Sequence, residues 1–156
     1  MSGCAPLVVR SAVPEDLEAL SALAYRSKKS NGYDEAAIAR MTEALEMTTG
    51  RLAQHRFWVA EENGRIIGCV ALAPIDNITA AVRTFFIEPE HKGRGIGKQL
   101  WFALLTIAQS QGLTRLSARP DPASLPFYES IGFKTEAFAP SPHVPCVNVP
   151  RMWREI

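Results

Sequence analysis

One stretch constrains this chain more than any other: Phe85-Phe86-Ile87-Glu88-Pro89-Glu90-His91-Lys92-Gly93-Arg94-Gly95-Ile96-Gly97-Lys98. An apolar run is stopped by Pro89. A turn follows with glycines at 93, 95 and 97, and it opens into a helix expected over Gln99–Gln111. Glycine tolerates positive φ and lets a bulky ligand approach the backbone. The unpaired N–H groups at a helix start, reinforced by the helix dipole, attract anions. Lys92, Arg94 and Lys98 bring enough positive charge to neutralise a diphosphate. Strand, glycine turn and helix together read as an anion pocket.

Two nucleotide templates share that logic, and neither fits. A phosphate-binding P-loop requires Gly, four residues, then Gly-Lys-Ser/Thr. Here Gly97-Lys98 is followed by Gln99, and Lys92 stands where the first glycine belongs. The dinucleotide pattern Gly-x-Gly-x-x-Gly would need a third glycine at Lys98 or at Leu100.

With those set aside, the segment resembles the GNAT superfamily of acyl-CoA-dependent N-acyltransferases. That family's helix-entry signature is Gln/Arg-x-x-Gly-x-Gly/Ala. The chain reads Lys92-Gly93-Arg94-Gly95-Ile96-Gly97, with lysine at the first position. A second block, Phe127-Tyr128-Glu129-Ser130-Ile131-Gly132-Phe133, is similar to the family's Phe-Tyr-Glu-x-Leu-Gly-Phe segment and follows in the expected order. The resemblance is strong from Phe57 to Phe138 and diffuse elsewhere.

Length and composition agree. At 156 residues one domain is expected over 1–156, large enough for a proper core. A hydrophobic content of 47% and a charged content of 21% are ordinary for a globular protein, and a net charge of +1 creates no field for nucleic acid or anionic lipid. No apolar run approaches the roughly 20 residues of a membrane span, and Met1 to Pro6 carries no secretory pattern. Cys4, Cys69 and Cys146 have no metal-ligand spacing, so reduced thiols, no metal and a cytoplasmic protein are expected.

Periodicity gives an alternation of elements without repeats or linkers. Leu7–Arg10 reads as a strand. A helix follows from Pro14, with Leu17, Leu20, Leu23 and Ala24 on one face. A second helix is capped by Asp34, with Ile38, Met41 and Leu45 on its face. Strands are expected over 57–61 and 66–73, joined by the hairpin signal Asn63-Gly64, then over 80–87, 113–118, 133–138 and 146–154. A short helix over 124–131 ends at Gly132. The order is β-α-α-β-β-β-α-β-α-β-β. The resemblance turns it into an expected fold: a mixed, mostly antiparallel central sheet flanked by helices.

The resemblance also implies a reaction, transfer of an acetyl group from acetyl-CoA to an amine. The loop Lys92 to Lys98 would hold the pyrophosphate. The backbone of Phe85, Phe86 and Ile87 would pair with the pantetheine amides like an added strand, while the two phenylalanine rings pack. A backbone N–H there would also polarise the thioester carbonyl. Tyr128 would protonate the departing thiolate as general acid. No activated Ser or Cys environment is visible, so direct attack in a ternary complex is expected.

Two positions depart from the family. Many members carry Glu early in the fourth strand, near Ala81 here, yet this chain has no acid between Asp76 and Glu88. Glu88 reads as facing solvent, and His143 has a suitable ordinary pKa, while His91 and His55 look less special. Related enzymes often have Asn where Asp121 stands. Ionised aspartate cannot donate a hydrogen bond, which leaves Ser124 to supply a cofactor contact.

For the acceptor, Tyr33, Asp76 and His143 are the first residues to inspect, Asp34 reads as a cap, and Arg51 to Arg56 reads as a solvated connection. The modest pool of acids favours a small, neutral or weakly cationic amine, and nothing in the sequence separates that from a peptide amine. The expected partners are thus acetyl-CoA and that amine, with no nucleic acid or membrane. Relatives often form homodimers, and the sequence locates no interface. A CoA-sensing module without chemistry stays open beside the enzyme, and a nucleotide-binding regulatory domain stands third.

Overall fold

Seven strands form one sheet in the order β1-β2-β3-β4-β5-β7-β6. The structure is a computed structural model and describes residues 7–41 and 47–156. Leu45 of the expected second-helix face, and Cys4, lie outside the described residues. The strands are β1 (Val8–Ser11), β2 (Arg56–Glu62), β3 (Arg65–Pro74), β4 (Thr79–Ile87), β5 (Arg115–Ala118), β6 (Lys134–Pro140) and β7 (Asn148–Glu155). The described helices are α1 (Leu17–Ser30), α2 (Glu35–Arg40), α3 (Thr49–Gln54), α4 (Ile96–Ser110) and α5 (Leu125–Ser130). The mostly antiparallel, helix-flanked sheet agrees with expectation. α3 is an addition to the expected order, and α4 starts three residues early. None of the described helices is long and apolar enough to cross a membrane.

The sheet separates two cores because strand side chains alternate between faces. On one face Trp58, Ala60, Val70, Leu72, Ala80 and Val82 meet Ile96, Leu100, Trp101, Leu104 and Ala108 of α4. On the other, Phe57, Val59, Cys69, Ala71 and Phe86 meet Leu20, Leu23 and Ala24 of α1 and Ala37 and Ile38 of α2. Leu100 and Leu104 are almost wholly buried. Each contributes about 1.5–3 kcal/mol relative to exposure. α4 can lie this close because Gly68 has no side chain: a Cβ there would stand 2.9 Å from Ile87 Cδ1 and 3.0 Å from Leu100 Cδ1.

Local chemistry sets the boundaries. Asn63 (φ 54) and Gly64 (φ 75) make the tight β2–β3 turn, closed by the pair Glu62↔Arg65. Asp34 caps α2 as expected, accepting from the Ala37 N–H at 2.8 Å. Asp76, a candidate substrate residue, instead accepts from the Ile78 and Thr79 N–H groups at 2.9 and 2.8 Å. It closes the β3–β4 turn, as Asp commonly does.

The decisive feature for function is a parting of strands. Among the described residues β4 and β5 are the one parallel pair, and their register runs from Thr79↔Arg115 to Val82↔Ala118. β5 ends there, while β4 continues to Ile87. The two strands fork, and the β5-facing edge of Arg83–Ile87 has no strand partner among the described residues.

Candidate active site

The fork opens into a cleft of about 1120 Å3. One wall is β4 from Ala81 to Ile87, and the other runs from Ser117 to Asp121 and on through Ser124, Phe127 and Tyr128. His91, Lys92, Gly93, Gly95, Ile96, Gly97 and Lys98 line the mouth. The second block and most of the loop thus meet in one crevice, with His143 also on its lining.

β4 is bent where it forms the wall. Cys69 pairs with Phe86 and Ala71 with Arg83, so Thr84 and Phe85 together oppose Val70 in a β-bulge. Thr84 takes φ 54, a left-handed conformation rare for a β-branched residue. The Cys69 thiol donates to the Thr84 carbonyl at 3.3 Å from beneath. Burial pushes that thiol up to about 12, which keeps it a proton donor. Neither described free cysteine, Cys69 or Cys146, lines the cleft. The bulge also sends Phe86 into the α1-side core and packs Phe85 on the other side, so both rings are packing groups as expected.

At the mouth, Gly93 and Gly95 adopt φ 85 and 80, and a Cβ on either would meet nothing within 4 Å. They are needed for conformation, and they leave open space over the backbone. Gly95 is the N-cap of α4, and the first intrahelical bond runs from the Gln99 N–H to the Gly95 carbonyl. The preceding N–H groups therefore have no intrahelical acceptor and are available to an anion. Gly97 has another reason: a Cβ there would stand 3.0 Å from the Phe127 ring, so its absence lets α5 close against α4.

The three expected cations divide. Lys98 is exposed and has no ion-pair partner among the described residues. Lys92 reaches Asn31 Oδ1 at 3.2 Å across the mouth. Arg94 turns away: its guanidinium holds Glu62 at 2.7 Å and contacts His91 Nδ1, and it does not line the cleft. Glu88 is also corrected. It is 3% exposed and forms two 2.7 Å bonds with Arg26, whose charge holds its carboxyl below the usual range. It anchors the strand end to α1.

Tyr128 sits on the floor, 5% exposed. Its ring is edge-on to Phe85 (6.1 Å), Phe127 (5.8 Å) and Phe133 (5.3 Å). The second block has a physical reading here. α5 ends with Gly132 at φ 95, the Phe133 N–H bonds the Tyr128 carbonyl at 3.0 Å, and the Gly132 N–H bonds the Glu129 carbonyl at 3.1 Å. This is a Schellman end, whose apolar contact is the Tyr128–Phe133 ring pair. Burial first, and then the Asp121 charge, push the phenol well above its ordinary value, so it stays protonated.

Asp121, at the family's usual Asn position, is held by three donors: Lys28 Nζ at 2.6 Å, Asn31 Nδ2 at 3.0 Å and the Tyr33 hydroxyl at 3.1 Å. It ties the end of α1 to the loop after β5. Tyr33, expected at the substrate, serves this tie rather than lining the cleft. Burial and the adjacent carboxylate push its phenol up to about 12.

The fork end departs most from expectation. Arg51, Gln54 and His55, read as part of a solvated connection, belong to α3 and its end and line the cleft with Arg83 and Arg119. Burial, then Arg83 and Arg51, hold the His55 pKa below its ordinary value. Nothing in the sequence marked these residues, because α3 is six residues long and reaches the cleft only through the tertiary fold.

Likenesses to known proteins accord with this architecture. The chain is 30% identical over 107 residues to human N-acetyltransferase 8B, covering 62% of this chain and 47% of that protein. It is 31% identical over 80 residues to the glucosamine 6-phosphate N-acetyltransferase of Trypanosoma brucei brucei, covering 47% and 54%. The chain thus spans about half the length of these relatives. The fold matches the PaiA N-acetyltransferase of Thermoplasma acidophilum, solved in complex with coenzyme A, with TM-score 0.82 and 22% identity over 97% of this chain and 99% of that one. The profile of the acetyltransferase (GNAT) family matches residues 17–133, and the chain belongs to that family.

Proposed function

We propose that this protein transfers an acetyl group from acetyl-CoA to a primary amine by direct attack in a ternary complex. The observation that carries this reading is the fork between β4 and β5, with its glycine mouth at one end and Tyr128 on its lining.

When bound, the diphosphate accepts hydrogen bonds from the free N–H groups at the start of α4, with Lys92 and Lys98 supplying charge. The pantetheine takes the strand position that β5 vacates, pairing with the backbone of Phe85 to Ile87. Ser124 lies on the opposite wall. The acyl carbonyl then rests at the bulge, where a fixed backbone N–H stabilises the developing oxyanion, an effect of about 2.7–4 kcal/mol in comparable sites. The amine attacks that carbonyl, the C–S bond breaks, and the Tyr128 phenol gives its proton to the departing thiolate. The phenol carries its proton at neutral pH, with burial and then the Asp121 charge holding its pKa above the ordinary value. His55 and His143 both line the cleft. Burial, then Arg83 and Arg51, hold the His55 pKa below its ordinary value, which favours the neutral imidazole that can accept the ammonium proton.

The test is thiol release from acetyl-CoA by the purified chain with a panel of amines. Amine-dependent release with equimolar N-acetyl product is expected. Stabilisation by CoA with no release for any amine would contradict the enzymatic reading.

A further inference from the structure

Resting on the acetyltransferase reading, we propose that the acceptor carries an anion, a carboxylate or phosphate group a few bonds from its amine, seated between Arg83 and Arg119 at the apex of the fork.

The register places these arginines side by side. Val82↔Ala118 is the last pair of the parallel ladder; Arg83 is the next residue on β4, and Arg119 is the first residue after β5. Val82 and Ala118 both point into the α4-side core. Alternation therefore turns Arg83 to the opposite face, where its partner Ala71 faces the α1-side core, and Arg119 lines the same cleft. The last pair holds the two backbones about 5 Å apart, and both arginines line the cleft just beyond it. Both residues are exposed, and neither forms an ion pair among the described residues.

The surrounding charge favours an anion. Asp121 is the one carboxylate among the described lining residues, and Lys28 already holds it at 2.6 Å. Arg51 stands on the same side and adds to the positive field felt at His55. Adjacent like charges on neighbouring strands are destabilising, and an oxyanion bridging them removes that repulsion. Guanidinium groups match carboxylate and phosphate oxygens through paired N–H donors.

This subsite is distinct from the diphosphate site. Arg83 lies four residues before Ile87, or about 13 Å along an extended strand, and the glycine mouth lies beyond that. The distance leaves room for the pantetheine arm between the two anions. The proposal departs from the neutral or weakly cationic amine expected from composition, because Asp121 is the one carboxylate among the described lining residues and Lys28 already holds it.

Matched pairs test the proposal at saturating acetyl-CoA: phenylalanine against phenethylamine, and O-phosphoethanolamine against ethanolamine, with spermidine as a cationic amine. The expected result is at least about 100-fold higher kcat/KM for the anionic member of one pair, in line with the penalty for leaving a polar site unfilled. The pair that responds distinguishes carboxylate from phosphate. Arg83→Gln with Arg119→Gln should bring that ratio to within about threefold of unity and leave the KM for acetyl-CoA unchanged. Equal or better use of phenethylamine, ethanolamine or spermidine would overturn the proposal, as would a ratio that survives the double variant.

Binding without turnover keeps this separate from the catalytic reading. Calorimetry with N-acetylphenylalanine and N-acetyl-O-phosphoethanolamine, in the presence of CoA, should give binding that the double variant loses. Binding to neither wild type nor variant would overturn the anion site even if some amine is acetylated. Binding lost on substitution would support it even if none is.

Discussion

The two ends of the cleft are built by different means. The mouth is made of backbone: two glycines in left-handed conformations, the free N–H groups of α4 and a bulged strand edge. The fork apex is made of side chains that arrive from α3, β4 and the chain after β5. A backbone site requires a fixed run of residue types in one continuous segment. A side-chain site requires only that distant segments converge. The first suits a cofactor shared by many enzymes, and the second can be changed residue by residue to select an acceptor.

The largest effect should come from the group that stands between the two ends. Tyr128→Phe keeps the ring contacts to Phe85, Phe127 and Phe133 and removes only the hydroxyl. Steady-state kinetics should show kcat lowered about 100-fold or more, with little change in acetyl-CoA binding. Unchanged turnover at saturation would remove Tyr128 from the chemistry.

At the mouth, Gly95→Val places a β-branched side chain at φ 80 and over the anion path. The backbone strain alone costs about 1–3 kcal/mol. The KM for acetyl-CoA should rise at least about tenfold, while discrimination among amines persists. A change in amine preference with normal cofactor KM would break the division between the two ends.

Stability against pH separates the same regions. Arg26 depresses the Glu88 carboxyl near the mouth, so the unfolded chain binds the extra proton. That stability is complete above the ordinary carboxylate value of 4.5 and is lost as pH falls through the lower folded value. His55 at the apex is likewise depressed, so its loss begins as pH falls below 6.5. Thermal unfolding at stepped pH should show His55→Gln flattening the upper part of the acid slope and Arg26→Met flattening the lower part. Exchange of those windows would contradict the assignments.

The smallest effect is expected at Arg94. Its pairing with Glu62 is half-exposed, and such pairs contribute about 0–1 kcal/mol. Arg94→Ala should change the acetyl-CoA KM less than about threefold, whereas Lys98→Ala should change it more. The reverse order would return Arg94 to the diphosphate.

The same contrast explains what the sequence revealed. The strand-loop-helix and the Phe127–Phe133 block were legible because backbone geometry restricts the residues at each position. Even there, Gly97 proved to be a packing glycine and Arg94 an ion-pair partner. A glycine's letter does not say which neighbour approaches, and a flexible side chain can choose among charges. Glu88 looked solvent-facing beside Pro89 because its partner, Arg26, lies far away in sequence. Tyr33 and Asp76 were polar residues that serve internal bonds. Arg51, His55, Arg83 and Arg119 gave no signal, since only the folded sheet brings them together.

The central claim is that the fork receives coenzyme A. Diffraction from crystals grown with coenzyme A tests it most directly. The account predicts diphosphate density over Gly93–Lys98 and a pantetheine chain along Phe85–Ile87, ending beside Tyr128. Coenzyme A bound elsewhere, with side chains closing the gap between β4 and β5, would contradict it.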